Sequence, residues 1–279
     1  MNTLDRNIAP EFQPFSSVNF LQPKNLHLDN GVPVYVISGG SQEILKISFI
    51  FNAGKWYQPA PLIASSANKL MQEGSKNYTS VQIAEGIDQY GAFLDTEFSY
   101  DTASITVYTL SKYLNLVLPF VKEVIAFPAF SEQEFEVYRQ NALEKFKINQ
   151  EKVSFVAHTE FMELLMGNEN PYGKKTTVQD FNDLSLADIK KFHKTHYNFA
   201  QATIIISGKV TSGDIQVLNK HMGTNDLLLS ESGAIYHPII QDNIKAETKR
   251  HISKKEALQS AIRIGSVMPN RNHKDYFGL

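Results

Sequence analysis

Strand-like and helix-like stretches alternate along this chain, yet never in the regular strand–helix–strand rhythm that builds a parallel sheet. Residues 32–37 form a short β-branched run and residues 44–53 a longer one, with Ser38-Gly39-Gly40-Ser41 between them as a hairpin signal. Residues 62–73 place Ile63, Ala67, Leu70 and Met71 at helical spacing and stop at Gly74. Thr79, followed three residues later by Gln82, is a capping box for a second helix whose face carries Ile83, Ile87 and Tyr90. Two further strand runs, 92–98 and 102–108, flank the short turn Ser99-Tyr100-Asp101. Helices are then predicted over 112–125, from a Ser131–Glu134 cap to Gln150, over 153–166 with Gly167 as its stop, and from Ser185 to His196. Residues 202–207 read as a buried strand, and Ser212 starts a last helix ending at Gly223. Strand pairs joined by hairpins among helix pairs predict the α+β class, with an antiparallel sheet packed with helices.

Composition narrows the function. The 279 residues carry a net charge of −2, too balanced for a dedicated nucleic-acid binder. There is no cysteine, which excludes disulfides, thiolate zinc sites and a cysteine nucleophile. No apolar run reaches the ~18 residues of a membrane span. Residues 1–15 show neither the basic start nor the apolar centre of a signal peptide. The expectation is a soluble, cytoplasmic protein.

Residues 1–24, with Pro10, Pro14 and Pro23, read as an extended lead-in. Residues 25–223 read as one complete domain, 224–256 as a polar linker, and 257–279 as the truncated beginning of a second domain opening on a strand over 257–267. Asp275-Tyr276-Phe277-Gly278-Leu279 reads as a helix beginning, and a tail this short cannot bury a core of its own, so the chain is expected to be a fragment. Limited proteolysis is expected to cut within 224–257 and leave a stable core of residues 25–220. A digest without a fragment of that size would count against the division.

Four segments point to a family. Phe51-Asn52-Ala53-Gly54 at a strand end, Gly74-Ser75-Lys76-Asn77-Tyr78-Thr79, Pro171-Tyr172-Gly173, and Ser207-Gly208-Lys209-Val210 after the 204–206 run share an order and spacing. In these the chain resembles the pitrilysin/insulinase-type (M16) zinc peptidases over residues 25–279, and most of all their bacterial processing-peptidase-like group. The resemblance implies a duplicated α+β unit whose halves clamp a chamber around a substrate peptide. Ala261-Ile262-Arg263-Ile264-Gly265 with Asp275-Tyr276 then looks like the first strand and helix start of the second half.

Catalytic members of that family carry His-x-x-Glu-His on the helix after the Phe51–Gly54 segment. Two His at i and i+4 share one helix face and hold one zinc, and the Glu activates its bound water. Counting back from Gly74-Ser75 puts Ser65 and Lys69 at the two His positions and Asn68 at the Glu position. An amide takes no proton from water, and an ammonium repels a cation. The third-ligand position falls at Glu144 or Lys145. No register slip supplies the ligands, because no His lies between His27 and His158. The resemblance therefore implies a catalytically dead member without zinc. It would pair with a catalytic homologue, or with itself as a dimer, and hold half of a peptide-binding chamber. Two alternatives stay open: a zinc metalloendopeptidase using other ligands, and a scaffold that keeps the fold without proteolysis.

Other candidates have a structural alternative beside them. His193 and His196, at i and i+3, are a candidate metal pair; the alternative is a last helical turn whose imidazoles cap carbonyls and favour the helix dipole. His158 with Glu160 and Glu163 offers imidazole and carboxylate on one helix, or simply a solvated face. Alternation puts Asp95 and Glu97 on one sheet face opposite Leu94 and Phe98, with Asp101 nearby, as candidate peptide contacts or an exposed acidic face. Trp56-Tyr57 is a candidate apolar subsite or ordinary loop packing. No nucleotide-binding glycine loop and no Gly-x-Ser-x-Gly elbow is present. Asn77-Tyr78-Thr79 matches a glycosylation acceptor by chance.

Overall fold

The structure is a computed structural model that describes residues 9, 12, 20–228, 249–255 and 257–278. Its strands are β1 (Lys24–His27), β2 (Pro33–Ser38), β3 (Ile44–Phe51), β4 (Phe93–Phe98), β5 (Ala103–Leu110) and β6 (Thr203–Gly208). Its helices are α1 (Ile63–Leu70), α2 (Ser80–Asp88), α3 (Leu114–Ala126), α4 (Glu132–Gln150), α5 (Val153–Met166), α6 (Val178–Asp183), α7 (Leu186–His196) and α8 (Ser212–Met222). The α+β architecture is as the sequence predicts. No helix among the described residues is long and apolar enough to cross a membrane.

One sheet runs in the order β1-β2-β6-β3-β5-β4. Four of its five pairings are antiparallel, and β2–β6 is parallel. The hairpin expected between β2 and β3 does not form, because β6 lies between them, pairing Val36 with Ile206 and Ile206 with Ile47. The Ile204-Ile205-Ile206 run is apolar on both faces and suits a central strand. The Gly39-Gly40 turn wraps the end of β6 instead, with Gly39 N donating to Gly208 O at 2.8 Å. Strand β1, absent from the sequence reading, is four exposed residues without alternation, held only as an edge against β2.

Period-two alternation divides the sheet into two faces. Val34, Val36, Leu45, Ile47, Phe49, Phe51, Ile105, Val107, Ile204 and Ile206 are buried and join the apolar sides of α1, α3, α7 and α8 in one core. Full burial of side chains of this size contributes about 1.5–3 kcal/mol each, which makes the sheet a stiff floor for α1. The opposite face carries Tyr35, Lys46, Tyr108 and Phe93, all exposed, in the company of Asp95 and Glu97.

Helix ends follow local chemistry. Thr79–Gln82, Thr177–Asp180 and Thr211–Asp214 form capping boxes, and the Ser131 hydroxyl accepts from Glu134 N. The packed unit continues past residue 223, since Leu227 is buried and Asp226 pairs with Lys122 at 3.0 Å. Most of the lead-in and of the linker lies outside the described residues. The strand expected over 257–267 is absent: those residues form no ladder, and Leu258, Ile262 and Ile264 stand exposed. A strand exists only where a neighbour shares its backbone hydrogen bonds, and here none is at hand among the described residues. The helix beginning at 275–279 is only a 3₁₀ turn, Tyr276–Gly278.

Candidate functional site

Helix α1 turns its apolar side into the core through Ile63, Ala64, Ala67 and Leu70. That orientation brings Ser65 and Lys69, one turn apart, onto the opposite side. The Ser65 hydroxyl donates to Leu62 O at 3.0 Å, and Ser66 Oγ donates to Tyr138 Oη of α4 at 3.3 Å. Lys69 Nζ lies 3.1 Å from both the carbonyl and the hydroxyl oxygen of Thr96 in β4. Gln72 Nε2 donates to the same hydroxyl at 2.6 Å, so the acceptor is fixed from two sides. Asn68 is fully buried, and neither atom of its amide has a hydrogen-bond partner among the described residues. Burial raises the pKa of the Tyr197 hydroxyl.

A second cluster joins two of the four sequence segments through the turn between β4 and β5. Gly54 N donates to Asp101 O at 3.3 Å and Trp56 N to Tyr100 O at 2.8 Å. A Cβ on Gly54 would fall 2.4 Å from the backbone of Tyr100 and Asp101, so this approach requires glycine. Trp56 is thereby buried, and its ring meets Tyr172 edge-on at 5.0 Å. Tyr172 also meets Tyr100 at 5.0 Å, and its hydroxyl donates to the Asp101 carboxylate. Burial first, and the hydrogen bond to Asp101 next, raise the Tyr172 pKa. Asp95 and Glu97 sit on the open sheet face opposite Thr106 and Ser104 of β5.

Comparison with known proteins settles the family. The model for Insulinase (Peptidase family M16) matches residues 46–176, and the model for the Peptidase M16 inactive domain matches residues 183–279. The chain belongs to peptidase family M16. It is 24% identical over 195 residues to an uncharacterized zinc protease of Rickettsia bellii, which covers 67% of this chain and 46% of that protein. Its fold is similar to that of the peptidase M16 inactive domain from Pseudomonas fluorescens, with a TM-score of 0.70, 21% identity, and 77% of this chain and 53% of that one covered. A protease from Helicobacter pylori gives a TM-score of 0.71 at 19% identity over 80% of this chain and 55% of that one. The chain therefore spans about half the length of these M16 relatives. The two matched stretches share one sheet, since β6 of the second pairs with β3, most of which lies in the first.

Zinc is the usual M16 metal, and the side chains at Ser65, Asn68 and Lys69 do not fit it. One is a hydroxyl turned to its own helix, one a buried amide, and one an ammonium fixed on Thr96. Glu144 points to solvent, 72% exposed, with Lys147 at 3.8 Å, and Lys145 is exposed as well. No group of three or more His, Asp and Glu side chains converges on a metal-sized site among the described residues.

The remaining candidates have structural tasks. His193 Nε2 is 2.8 Å from Ile125 O and its ring stacks on Tyr197, while His196 Nδ1 is 3.0 Å from Asn52 O. The two imidazoles tie α7 to two different elements and do not converge on one ion. The charged-dipole account of His193 also fails, because burial lowers its pKa to about 4. Glu160 and Glu163 are not a plain solvated face: both pair with Lys175, and both with Arg250. Burial would raise the Glu160 pKa, but hydrogen bonds from Lys175 and Arg250 overcome it; the same bonds lower that of Glu163. Those two cations lie 15 and 90 residues from Glu160, too far for any helix-spacing rule to find them.

Proposed function

We propose that this chain is a non-catalytic M16 subunit that pairs with a zinc-bearing homologue and supplies half of a peptide-binding chamber. The carrying observation is the Lys69 ammonium, anchored on Thr96 at the position where the resemblance places a zinc-binding His. A fixed positive charge there opposes zinc as firmly as the missing imidazoles do. The open sheet face would form the wall of the chamber, with Asp95 and Glu97 favouring basic peptide segments and Trp56 backing the Tyr172–Tyr100 surface. Residues 25–223 are proposed as the complete half, 257–279 as the start of the next, and the cytoplasm as the compartment. Self-pairing as a dimer is the variant of this reading without a second gene product.

The test is a reconstitution. The purified chain is expected to carry substoichiometric zinc and to leave peptides intact. Addition of an M16 homologue bearing His-x-x-Glu-His is expected to give a stable complex, with faster peptide cleavage than the homologue shows alone. One zinc per chain, lost on mutating His193 or His158, would overturn the proposal in favour of an independent zinc endopeptidase. A complex without any gain in cleavage would favour the scaffold.

A further inference from the structure

Strand β4 ends the sheet, so one of its backbone edges has no ladder partner among the described residues. The turn into β5 determines which groups point that way. Ser99 N donates to Thr102 O at 2.9 Å, which makes those two a bonded pair in register with Phe98↔Ala103 and Thr96↔Ile105. Bonded and non-bonded pairs alternate along an antiparallel ladder. Glu97 and Asp95 therefore bond inward to β5, and Phe98, Thr96 and Leu94 direct their N–H and C=O groups off the sheet. Outward groups on a last strand are a template for any extended chain, and proteins commonly shield them with lysine.

Thr96 is the central residue of that outward row, and its carbonyl already accepts from Lys69. The arrangement is built rather than incidental. Four buried apolar side chains seat α1, Lys69 grips both Thr96 oxygens, and Gln72 holds the same hydroxyl. The geometry points to Lys69 as a guard on the β4 edge: its ammonium occupies the middle acceptor that an incoming extended peptide needs, and so keeps that peptide from adding as a seventh strand. The peptide's own N–H would have to displace an ammonium and then lie beside it. In this half of the molecule, peptides meet the open face with Asp95 and Glu97, not the strand edge. This deepens the proposed chamber-half reading and, for the peptide that the open face receives, rests on it.

The experiment uses the full chain with Lys69→Met, which keeps most of the stem, and Lys69→Ala, which keeps helix propensity. Lys69 is exposed, so both variants are expected to retain the wild-type circular dichroism spectrum. The probe is a fluorescein-labelled, end-capped peptide of alternating Thr and Val, read by anisotropy and by amide chemical shifts. Loss of one charge-assisted hydrogen bond predicts binding at least about five-fold tighter in both variants, with peptide-induced shifts at Leu94, Thr96 and Phe98. Affinities within roughly two-fold across the three proteins, binding to none of them included, would overturn the guard, as would tighter binding with shifts away from β4. Pairing with a zinc-bearing homologue is read separately, by cleavage in the mixture.

Discussion

Gly208→Ala is expected to destabilise the chain by about 3–5 kcal/mol, enough to leave much of it unfolded at growth temperature. Gly208 ends β6 with φ of 124°, a backbone conformation that L side chains rarely adopt. Its position adds a second penalty. Gly208 pairs with Ser38 of β2 and Leu45 of β3, and a Cβ built on it lies 2.1 Å from Ile44 O. The obstacle is backbone, so no rotamer change relieves it; either β3 moves off β6 or the turn after β6 refolds. Gly213→Ala is the matched control. Gly213 lies within α8, where a Cβ meets nothing closer than Thr211 Oγ1 at 3.6 Å, and alanine there is expected to stabilise by about 0.5 kcal/mol. Urea midpoints for the two variants check the pair. A Gly208→Ala midpoint close to wild type would contradict the insertion of β6 between β2 and β3.

That insertion also marks how far the sequence could be read. Thr79 with Gln82, Ser131 with Glu134, and Gly167 after α5 act within a few residues, and the structure uses each as the spacing predicts. Thr177 with Asp180 carries the same local signal for α6, but six residues leave too short a pattern to read as a helix from periodicity. The place of β6 had no local signal. The turn residues Gly39 and Gly40 suit a hairpin, and only the arrival of Gly208, 169 positions later, gives them a different task. The site divides in the same way. That α1 holds no His is visible by inspection, because a missing residue type needs no fold to be noticed. That Lys69 reaches Thr96, 27 residues on, is a product of α1 packing across β4, and a lone lysine on a helix announces no partner. The four family segments came in the right order without showing that Gly54, Asp101 and Tyr172 would touch.

Acid is expected to weaken the fold by about 3 kcal/mol through His193 alone. The residue is 7% exposed, and its ring lies between Phe130 and Tyr197 with Nε2 bonded to Ile125 O. Burial lowers its pKa from the ordinary 6.5 to about 4, against a smaller opposing effect of the Ile125 carbonyl. Between those values the unfolded chain binds a proton that the folded chain refuses, so stability rises with pH across the window. The contribution is fully present above pH 6.5 and is lost as pH falls towards 4. His196 and His221 are lowered by burial too and steepen the same slope. The carboxylates held down by cations, Glu160 and Glu163, lose their contribution lower on the scale and cannot imitate it. His193→Gln separates the two. Its amide nitrogen can still donate to Ile125 O, but it does not titrate. Denaturation free energies at pH 7 and pH 4.5 are therefore expected to differ by about 2–3 kcal/mol less in the variant than in the wild type. Equal losses in both proteins would mean that His193 is reached by solvent in the fold, and α7 would then not be packed on α3 as the core requires.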